Sequence, residues 1–184
     1  MLLIDFHTHT SVSKDSLTSP EAIVRAAHRR GLDRLVVTDH NTIEGALAAR
    51  ALDPDLVIVG EEIMTSRGEI LAAFVSEEIP AGLSPQETIR RLRQQGAFIS
   101  VSHPFDHWRN GAWEWDDLLE IVPLVDAIEV FNARCISPAD NRRAQEFARQ
   151  HCLAGTAGSD AHAPFEVGAA CLELPPFSGP EELR

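Results

Sequence analysis

The feature that says most about the fold of this chain is a series of apolar runs, each followed by histidine or an acidic residue. The first run, Leu2-Leu3-Ile4, leads through Asp5 to His7-Thr8-His9. Because strand side chains repeat every two residues, His7 and His9 are expected on the same side of an extended backbone. Two imidazoles held in this way form half of a metal site. A lone His-x-His also fits ordinary surface or packing histidines, so a metal site is predicted only because the pattern is repeated.

The same pattern returns after four later apolar runs. The runs at 35–37, 56–60, 97–102 and 153–158 lead, in turn, to Asp39 and His40, to Glu61 and Glu62, to His103, and to Asp160 and His162. Five of the eight histidines therefore lie at or just beyond the ends of predicted strands. In a barrel of parallel strands, that face is where functional sites are built.

Helix signals alternate with these strands. Ser19-Pro20, Ser84-Pro85 and Ser137-Pro138 each place a capping serine before a proline at the first helical position, which predicts helices to about residues 30, 95 and 150. Further helices are predicted at 42–52 and 118–122. The strand beginning at 56 is expected to return as a hairpin at 69–75, and a last strand is predicted at 167–174.

This alternation predicts an α/β fold in a single domain spanning 1–184. Short connections favour right-handed crossovers between neighbouring parallel strands, which both a barrel and an open doubly wound sheet satisfy. We favour a barrel, because an open sheet would spread the ligand-type residues too far apart. The 184 residues are few for eight strand and helix units, so an irregular or incomplete barrel is expected.

The composition of the chain argues against several classes of partner and of cysteine site. A formal net charge of -12 argues against broad contact with a nucleic-acid backbone or an anionic membrane, because those partners require clustered basic residues. Three widely spaced cysteines indicate neither a disulfide framework nor a thiolate zinc site. No apolar run approaches about 18 residues and the first residues do not read as a signal peptide, so a cytoplasmic location is expected.

The motifs together resemble a known family. His7-Thr8-His9, Thr38-Asp39-His40, Gly60-Glu61-Glu62, Ser102-His103-Pro104 and Gly158-Ser159-Asp160-Ala161-His162 follow the order and strand context of the PHP family, the polymerase and histidinol phosphatase domain. The resemblance covers essentially the whole chain. It implies a distorted (β/α)7-type barrel with a cluster of two or three divalent metals and, usually, phosphoester hydrolysis.

The resemblance also implies a ligand set. The first metal would be held by His7, His9, Glu62 and Asp160, with Glu62 bridging to a second metal that His103 also binds. The family commonly adds a histidine from the hairpin strand to the second site, and Glu69 stands there instead. His40 and His162 match two ligands of a third metal, and Asp15 is the candidate for the remaining one, with Lys14 at the adjacent position leaving the register open by one residue.

The ligand types indicate the chemistry. Imidazole and carboxylate sets favour Mn²⁺, Zn²⁺ or Fe²⁺ over calcium or magnesium. A bridging carboxylate can hold two cations about 3.5–4 Å apart and so activate a shared water, which makes a metal-bound hydroxide the expected nucleophile. We expect His103, Asp160 and His162 to take part in catalysis. Asp39 is expected to orient a ligand imidazole through a hydrogen bond, and the alternative is an N-cap of the next helix.

Other residues are candidates for substrate contact. Asn132 ends a predicted strand and Arg134 lies just past it, so both are candidates. The guanidinium of Arg134 could hold a phosphate in a bidentate manner, although a surface salt bridge explains it equally well. His107 lies four residues after His103 in a loop rich in tryptophan and could also touch substrate. A metal cluster can attract one phosphate despite the net charge of -12, whereas an acidic surface would repel a long polyanion. We therefore expect a small phosphoester, a nucleotide or a phosphorylated metabolite, to be the substrate.

Three other functions compete with this one. An amidohydrolase barrel often bridges two metals with a carboxylated lysine, but the only lysine here is Lys14 in the first loop. A non-catalytic scaffold of the same fold would be expected to have lost its ligand residues, whereas the ligand motifs of this chain are nearly complete. An exonuclease or phosphodiesterase acting on oligonucleotides needs a nucleic-acid path that this acidic chain does not display.

Overall fold

In the computed structural model, which describes residues 1–184, eight strands form one sheet. The strands are β1 (Leu2–Thr8), β2 (Arg34–Val37), β3 (Val57–Met64), β4 (Glu69–Ala73), β5 (Phe98–Val101), β6 (Ala127–Asn132), β7 (Ala154–Gly158) and β8 (Leu172–Leu174). Their order is β7-β6-β5-β4-β3-β2-β1-β8. Strand β4 is antiparallel to both neighbours, and β8 is antiparallel to β1.

The sheet curls until the carboxyl end of β7 meets the carboxyl end of β1. The backbone N–H of Asp160 donates to the carbonyl of His7 at 2.7 Å, and the N–H of His9 donates to the carbonyl of Ala161 at 2.9 Å. This approach requires glycine at 158, because a Cβ there would lie 2.2 Å from the Cβ of His7. The predicted α/β barrel is confirmed, with eight strands instead of seven because the short β8 pairs with the start of β1.

The helices surround this barrel. They are α1 (Pro20–Arg30), α2 (Glu44–Leu52), α3 (Pro85–Gln94), α4 (Trp115–Ile121), a 3-10 turn (Val122–Leu124), α5 (Pro138–His151) and α6 (Pro180–Leu183). The predicted serine caps form, since Ser19, Ser84 and Ser137 accept hydrogen bonds from backbone N–H groups of α1, α3 and α5. No helix is long and apolar enough to cross a bilayer.

Three predicted boundaries were wrong. Helix α2 starts at Glu44 instead of residue 42, because Asn41 turns at a φ of 55° and its side chain accepts from the N–H of Met64 at 2.8 Å. Helix α4 starts at Trp115 instead of residue 118. The last strand is only Leu172–Leu174, because the chain turns at Gly168, which has a φ of 76° and whose N–H donates to Oδ2 of Asp5 at 2.9 Å.

Two apolar clusters lie on the two faces of the sheet. The larger one packs the helices against the outer face. The smaller one fills the inside of the barrel and takes its members from β1 to β6 and from Phe177 beyond β8: Ile4, Phe6, Val36, Ile58, Ala73, Phe98, Ala127 and Phe177. Further along the strands the buried positions become polar, as in the Ser100 and Thr156 hydroxyls, which are 2.8 Å apart. The barrel therefore has an apolar floor and a polar upper end.

Candidate metal centre

The predicted ligands converge at the polar end of the barrel. His7 and His9 come from β1 and its end, His40 follows β2, His103 follows β5, and Asp160 and His162 follow β7. Glu62 lies within β3. Because β4 runs antiparallel, its first residue, Glu69, reaches the same end as the carboxyl ends of the parallel strands. The ligand atoms form one continuous cluster, with three overlapping sets in close contact: His7, His9 and Glu62; His9, His40 and His162; and His40, Glu62 and Glu69. Each predicted metal is assigned a group of residues from this cluster.

The first-metal group consists of His7, His9, Glu62 and Asp160. The Nε2 atom of His7 lies 3.0 Å from Nε2 of His9, 3.3 Å from Oε2 of Glu62 and 3.6 Å from Oδ1 of Asp160. Nε2 of His9 lies 3.4 Å from the same Glu62 oxygen and 3.3 Å from the same Asp160 oxygen. Four ligands arranged tetrahedrally about 2.1 Å from a cation would be about 3.4 Å apart, so the residues fit a transition-metal ion.

Glu62 has the orientation of a bridging ligand. Its Oε2 faces His7 and His9, whereas its Oε1 lies 3.3 Å from Nε2 of His103. The hydroxyl of Ser102 donates to Oε1 at 2.7 Å and so fixes the carboxylate plane. The arrangement fits a carboxylate that is shared between two cations.

The second-metal group adds His103 and Glu69 to Glu62. Oε2 of Glu69 lies 3.6 Å from Nε2 of His103, and its Oε1 lies 3.9 Å from Nδ1 of His40. Burial and the adjacent Glu62 carboxylate raise the pKa of Glu69 to about 8. A cation between the two carboxylates would remove this repulsion, so Glu69 is suited to the place where the family commonly has histidine.

The third-metal group consists of Asp15, His40 and His162. Oδ2 of Asp15 lies 3.5 Å from Nε2 of His40 and 3.3 Å from Nε2 of His162. Asp15 lines the cavity above the group, whereas Lys14 does not. This geometry favours Asp15 over Lys14 as the candidate ligand at this position. The Asp15 side chain is 59% exposed, so this group is the most accessible to solvent of the three.

The charges in the centre depend on one another. Burial disfavours a charge on His7, but Glu62, Asp160 and Glu129 outweigh it and raise the pKa of that imidazole well above its ordinary value. Burial likewise opposes ionisation of Asp160, yet His7 and His9 hold its pKa well below the ordinary value. A bound cation would supply the same positive charge, so metal binding and protonation of His7 compete.

Glu129 was missed by sequence reasoning. Its Oε1 lies 3.0 Å from Nδ1 of His7, and its Oε2 accepts from the backbone N–H of His103 at 2.9 Å. A carboxylate behind a ligating imidazole fixes the ring and raises its basicity. The available signal was an acidic residue within the otherwise apolar run of β6.

Asp39 does not act as expected. Its carboxylate accepts from the N–H and hydroxyl of Thr10 and from the hydroxyl of Ser13, at 2.6–2.7 Å. Only the Ser13 oxygen contacts an imidazole, Nδ1 of His9, at 3.2 Å. The predicted direct hydrogen bond to a ligand ring is therefore replaced by a relay through Ser13. The N-cap alternative was also wrong, since the N-cap residue of α2 is Ile43.

A cavity of about 400 Å³ opens above the three groups, and the substrate candidates differ in their relation to it. Arg134 lines the cavity and its guanidinium contacts Nδ1 of His162. Asn132 is buried, and its amide donates to Glu129 and Asp160 at 3.1 Å each, so it supports a ligand instead of facing the cavity. His107 is exposed and is not brought to the cavity. Arg109, which was not singled out, does line it.

Solved structures share this fold. A protein assigned as a metal-dependent phosphoesterase, from Bifidobacterium adolescentis, aligns with a TM-score of 0.70 over 88% of each chain. An amidohydrolase from Chromobacterium violaceum aligns with a TM-score of 0.70 over 94% of this chain and 92% of that one. The lesion-specific endonuclease PfuEndoQ from Pyrococcus furiosus aligns with a TM-score of 0.66 over 91% of this chain and 50% of that one. Each is 18% identical to this chain, so the likeness is one of fold.

Sequence comparisons identify the family. Two uncharacterized proteins of Methanocaldococcus jannaschii are similar: MJ0417 is 36% identical over 93% of this chain and 70% of its own length, and MJ1587 is 35% identical over 70% of this chain and 81% of its own. Residues 5–76 match the model of the PHP domain, and residues 138–184 match a model described as PHP-associated. The chain belongs to the PHP domain family.

Proposed function

We propose that this protein is a metal-dependent phosphoesterase that hydrolyses a small phosphoester, a nucleotide or a phosphorylated metabolite. The observation that carries the proposal is the convergence of the three ligand groups beneath a cavity that also presents Arg134. Cations bound there would lower the pKa of a water molecule and neutralise charge on the phosphoryl group. Mn²⁺, Zn²⁺ and Fe²⁺ suit the mixed imidazole and carboxylate ligands.

The protein's own residues divide the remaining work. Arg134, whose side chain is 41% exposed at the cavity, is placed to hold non-bridging phosphoryl oxygens. The hydroxyl of Ser102 and the carboxylate of Glu129 keep Glu62 and His7 in position. The apolar floor below the centre keeps water away from the underside of the ligands.

Two comparisons support a phosphorylated substrate. The similar structure from Bifidobacterium adolescentis is assigned to phosphoester chemistry. The amidohydrolase from Chromobacterium violaceum holds a bound sulfate, which has the tetrahedral shape of phosphate. The amidohydrolase assignment itself makes amide hydrolysis a reaction to include in the assays.

Oligonucleotide hydrolysis is the second candidate, because PfuEndoQ is an endonuclease of the same fold. The net charge of -12 opposes it, since a long polyanion would be repelled by an acidic surface. The cavity of about 400 Å³ also suits one small ligand. A non-catalytic scaffold is the remaining alternative, and the intact ligand groups argue against it.

The test compares the kcat/KM for mononucleotides and other small phosphoesters with that for oligonucleotides of about ten residues. Chelator-treated protein is assayed with Mn²⁺, Zn²⁺ or Fe²⁺, and an amide substrate is included. We expect metal-dependent activity and a higher kcat/KM for the small substrate. Arg134→Gln should raise KM, whereas Arg142→Gln, an exposed change on α5, should not. Preference for the oligonucleotide, with strong loss of activity as salt rises, would favour the nuclease reading instead.

A further inference from the structure

The loop 103–114, between β5 and α4, contacts both the first-metal group and the second-metal group. It begins at the ligand candidate His103, whose N–H is held by Glu129. It closes on itself near its end, where the N–H of Trp113 donates to the carbonyl of Pro104 at 3.0 Å. The Trp113 ring is buried, with only 1% exposure, so this end of the loop is anchored in the core.

Arg109 connects the loop to the first-metal group. Its guanidinium contacts Oδ2 of Asp160, and its Nε donates to Oδ2 of the fully buried Asp106 at 2.8 Å. Its Nη2 donates to Oδ1 of Asn132 at 3.3 Å. Asn132 in turn donates to the same Oδ2 of Asp160. Oδ2 is therefore held from two sides, and Oδ1 alone faces His7 and His9.

The other end of the loop holds Glu69 of the second-metal group. The N–H of Glu69 donates to the carbonyl of Gly111 at 3.0 Å, and Nε1 of Trp113 donates to the carbonyl of Glu69 at 3.0 Å. The Glu69 side chain occupies the space beside Gly111, where a Cβ would lie 2.2 Å from Oε2 of Glu69. Gly111 also has a φ of 99°, which favours glycine. Both the backbone and the side chain of Glu69 thus depend on this loop.

We propose that Arg109 and Trp113 are positioning residues through which one loop sets the geometry of two metal sites, Arg109 by holding Asp160 and Trp113 by holding Glu69. The inference rests on the proposed metal-dependent function and goes beyond it, because it assigns the loop to the ligands and not to the substrate. Arg109 lines the cavity, but three of its nitrogens are committed to Asp106, Asp160 and Asn132. Arg134 is left as the arginine that faces substrate.

The experiment is a calorimetric titration of chelator-treated protein with Mn²⁺. Asp160→Asn and Glu69→Gln serve as references that show which binding step belongs to the first-metal group and which to the second. We expect Arg109→Gln to weaken the step that Asp160→Asn weakens, and Trp113→Phe to weaken the step that Glu69→Gln weakens. Residues that support a ligand typically change metal affinity 10- to 100-fold, so a loss of about tenfold is expected in each case.

Matched variants keep the test decisive. Trp115→Phe makes the same change in a tryptophan that stacks on Phe105 and should leave both steps unaltered. Gly111→Ala, which displaces the Glu69 side chain directly, replaces Trp113→Phe if the latter does not fold. Arg109→Lys keeps the charge without the planar fork and should recover only part of the lost affinity. Circular dichroism confirms that each variant is folded.

Three results would overturn the inference. If Arg109→Gln leaves both steps intact and raises the KM for p-nitrophenyl phosphate, Arg109 binds substrate. If Trp113→Phe weakens both steps equally together with stability, the loop only supports the fold. If the wild-type protein takes up none of Mn²⁺, Zn²⁺ and Fe²⁺, the proposed function itself fails, and this failure is distinct because it occurs without any substitution.

Discussion

The neighbouring carboxylates of Glu61 and Glu62 have opposite environments because strand side chains alternate. Glu62 points into the metal centre, whereas Glu61 is buried on the other face, where it accepts from the N–H of Ile79 at 3.0 Å. Both are acidic residues at the end of an apolar run, so their spacing alone does not distinguish them. The resemblance to the PHP family had assigned the ligand role to Glu62. Burial, with a small contribution from Glu78, raises the pKa of Glu61 to about 8.

This shift predicts a pH dependence of stability. As pH rises from about 4.5 to 8, the unfolded chain releases the Glu61 proton before the folded chain does, so the free energy of unfolding falls over that range. Glu61→Gln keeps an acceptor for Ile79 and cannot ionise. In urea unfolding with chelator present, we expect the variant to match wild type near pH 4 and to exceed it at pH 9 by at least about 1 kcal/mol, since one pKa unit is worth about 1.4 kcal/mol.

Glu44→Gln, an exposed change at the start of α2, is the control and should leave the pH dependence unchanged. Parallel pH profiles for wild type and Glu61→Gln would contradict the assigned environment of Glu61.

Other residues of the centre could not be paired from the sequence either. Arg109 lies 51 positions from Asp160 in the chain, so no local pattern could have paired them.

Among the helices and strands, neighbouring residues were sufficient to predict the elements whose ends are fixed by local hydrogen bonds. The capping serines and following prolines predicted α1, α3 and α5, and the predicted return of the chain at 69–75 forms the β3–β4 hairpin. Long-range contacts decided the rest. The path of loop 103–114 depends on Glu69 and Asp160, and the turn that shortens the last strand is held by Asp5, whose Oδ2 accepts from the N–H of Gly168.

The segment after β8 stabilises the fold by packing Phe177 into the apolar interior of the barrel. Phe177 is 9% exposed and packs with the inner apolar cluster, including Ile4 and Phe98. Phe177→Ala should lower the free energy of unfolding by about 3 kcal/mol, as expected for a buried phenylalanine. Phe165→Ala, at a position 75% exposed, is the matched control and should change it by less than about 0.5 kcal/mol. Equal effects in urea unfolding would show that the segment does not close the barrel.

At the scale of the whole molecule, the sequence supported the barrel because five strand ends carried ligand-type residues that had to meet. The same reasoning could not show how the barrel closes. Closure uses the hydrogen bonds between β1 and residues 160–161 and the glycine at 158, and neither leaves a periodic signal. The resulting molecule keeps its apolar cluster inside one part of the barrel and its ionisable cluster at the other.

The metal content of the protein shows whether the clustered imidazoles and carboxylates bind metal ions. Elemental analysis of protein purified without chelator should give at least two equivalents of transition metal per chain, because the first-metal and second-metal groups supply buried ligands for two ions. Asp160→Ala should lower this number while circular dichroism stays unchanged, since its side chain lies at the polar end of the barrel and not in the apolar core. Less than one equivalent in the wild type, with no uptake when Mn²⁺ or Zn²⁺ is added, would contradict the account.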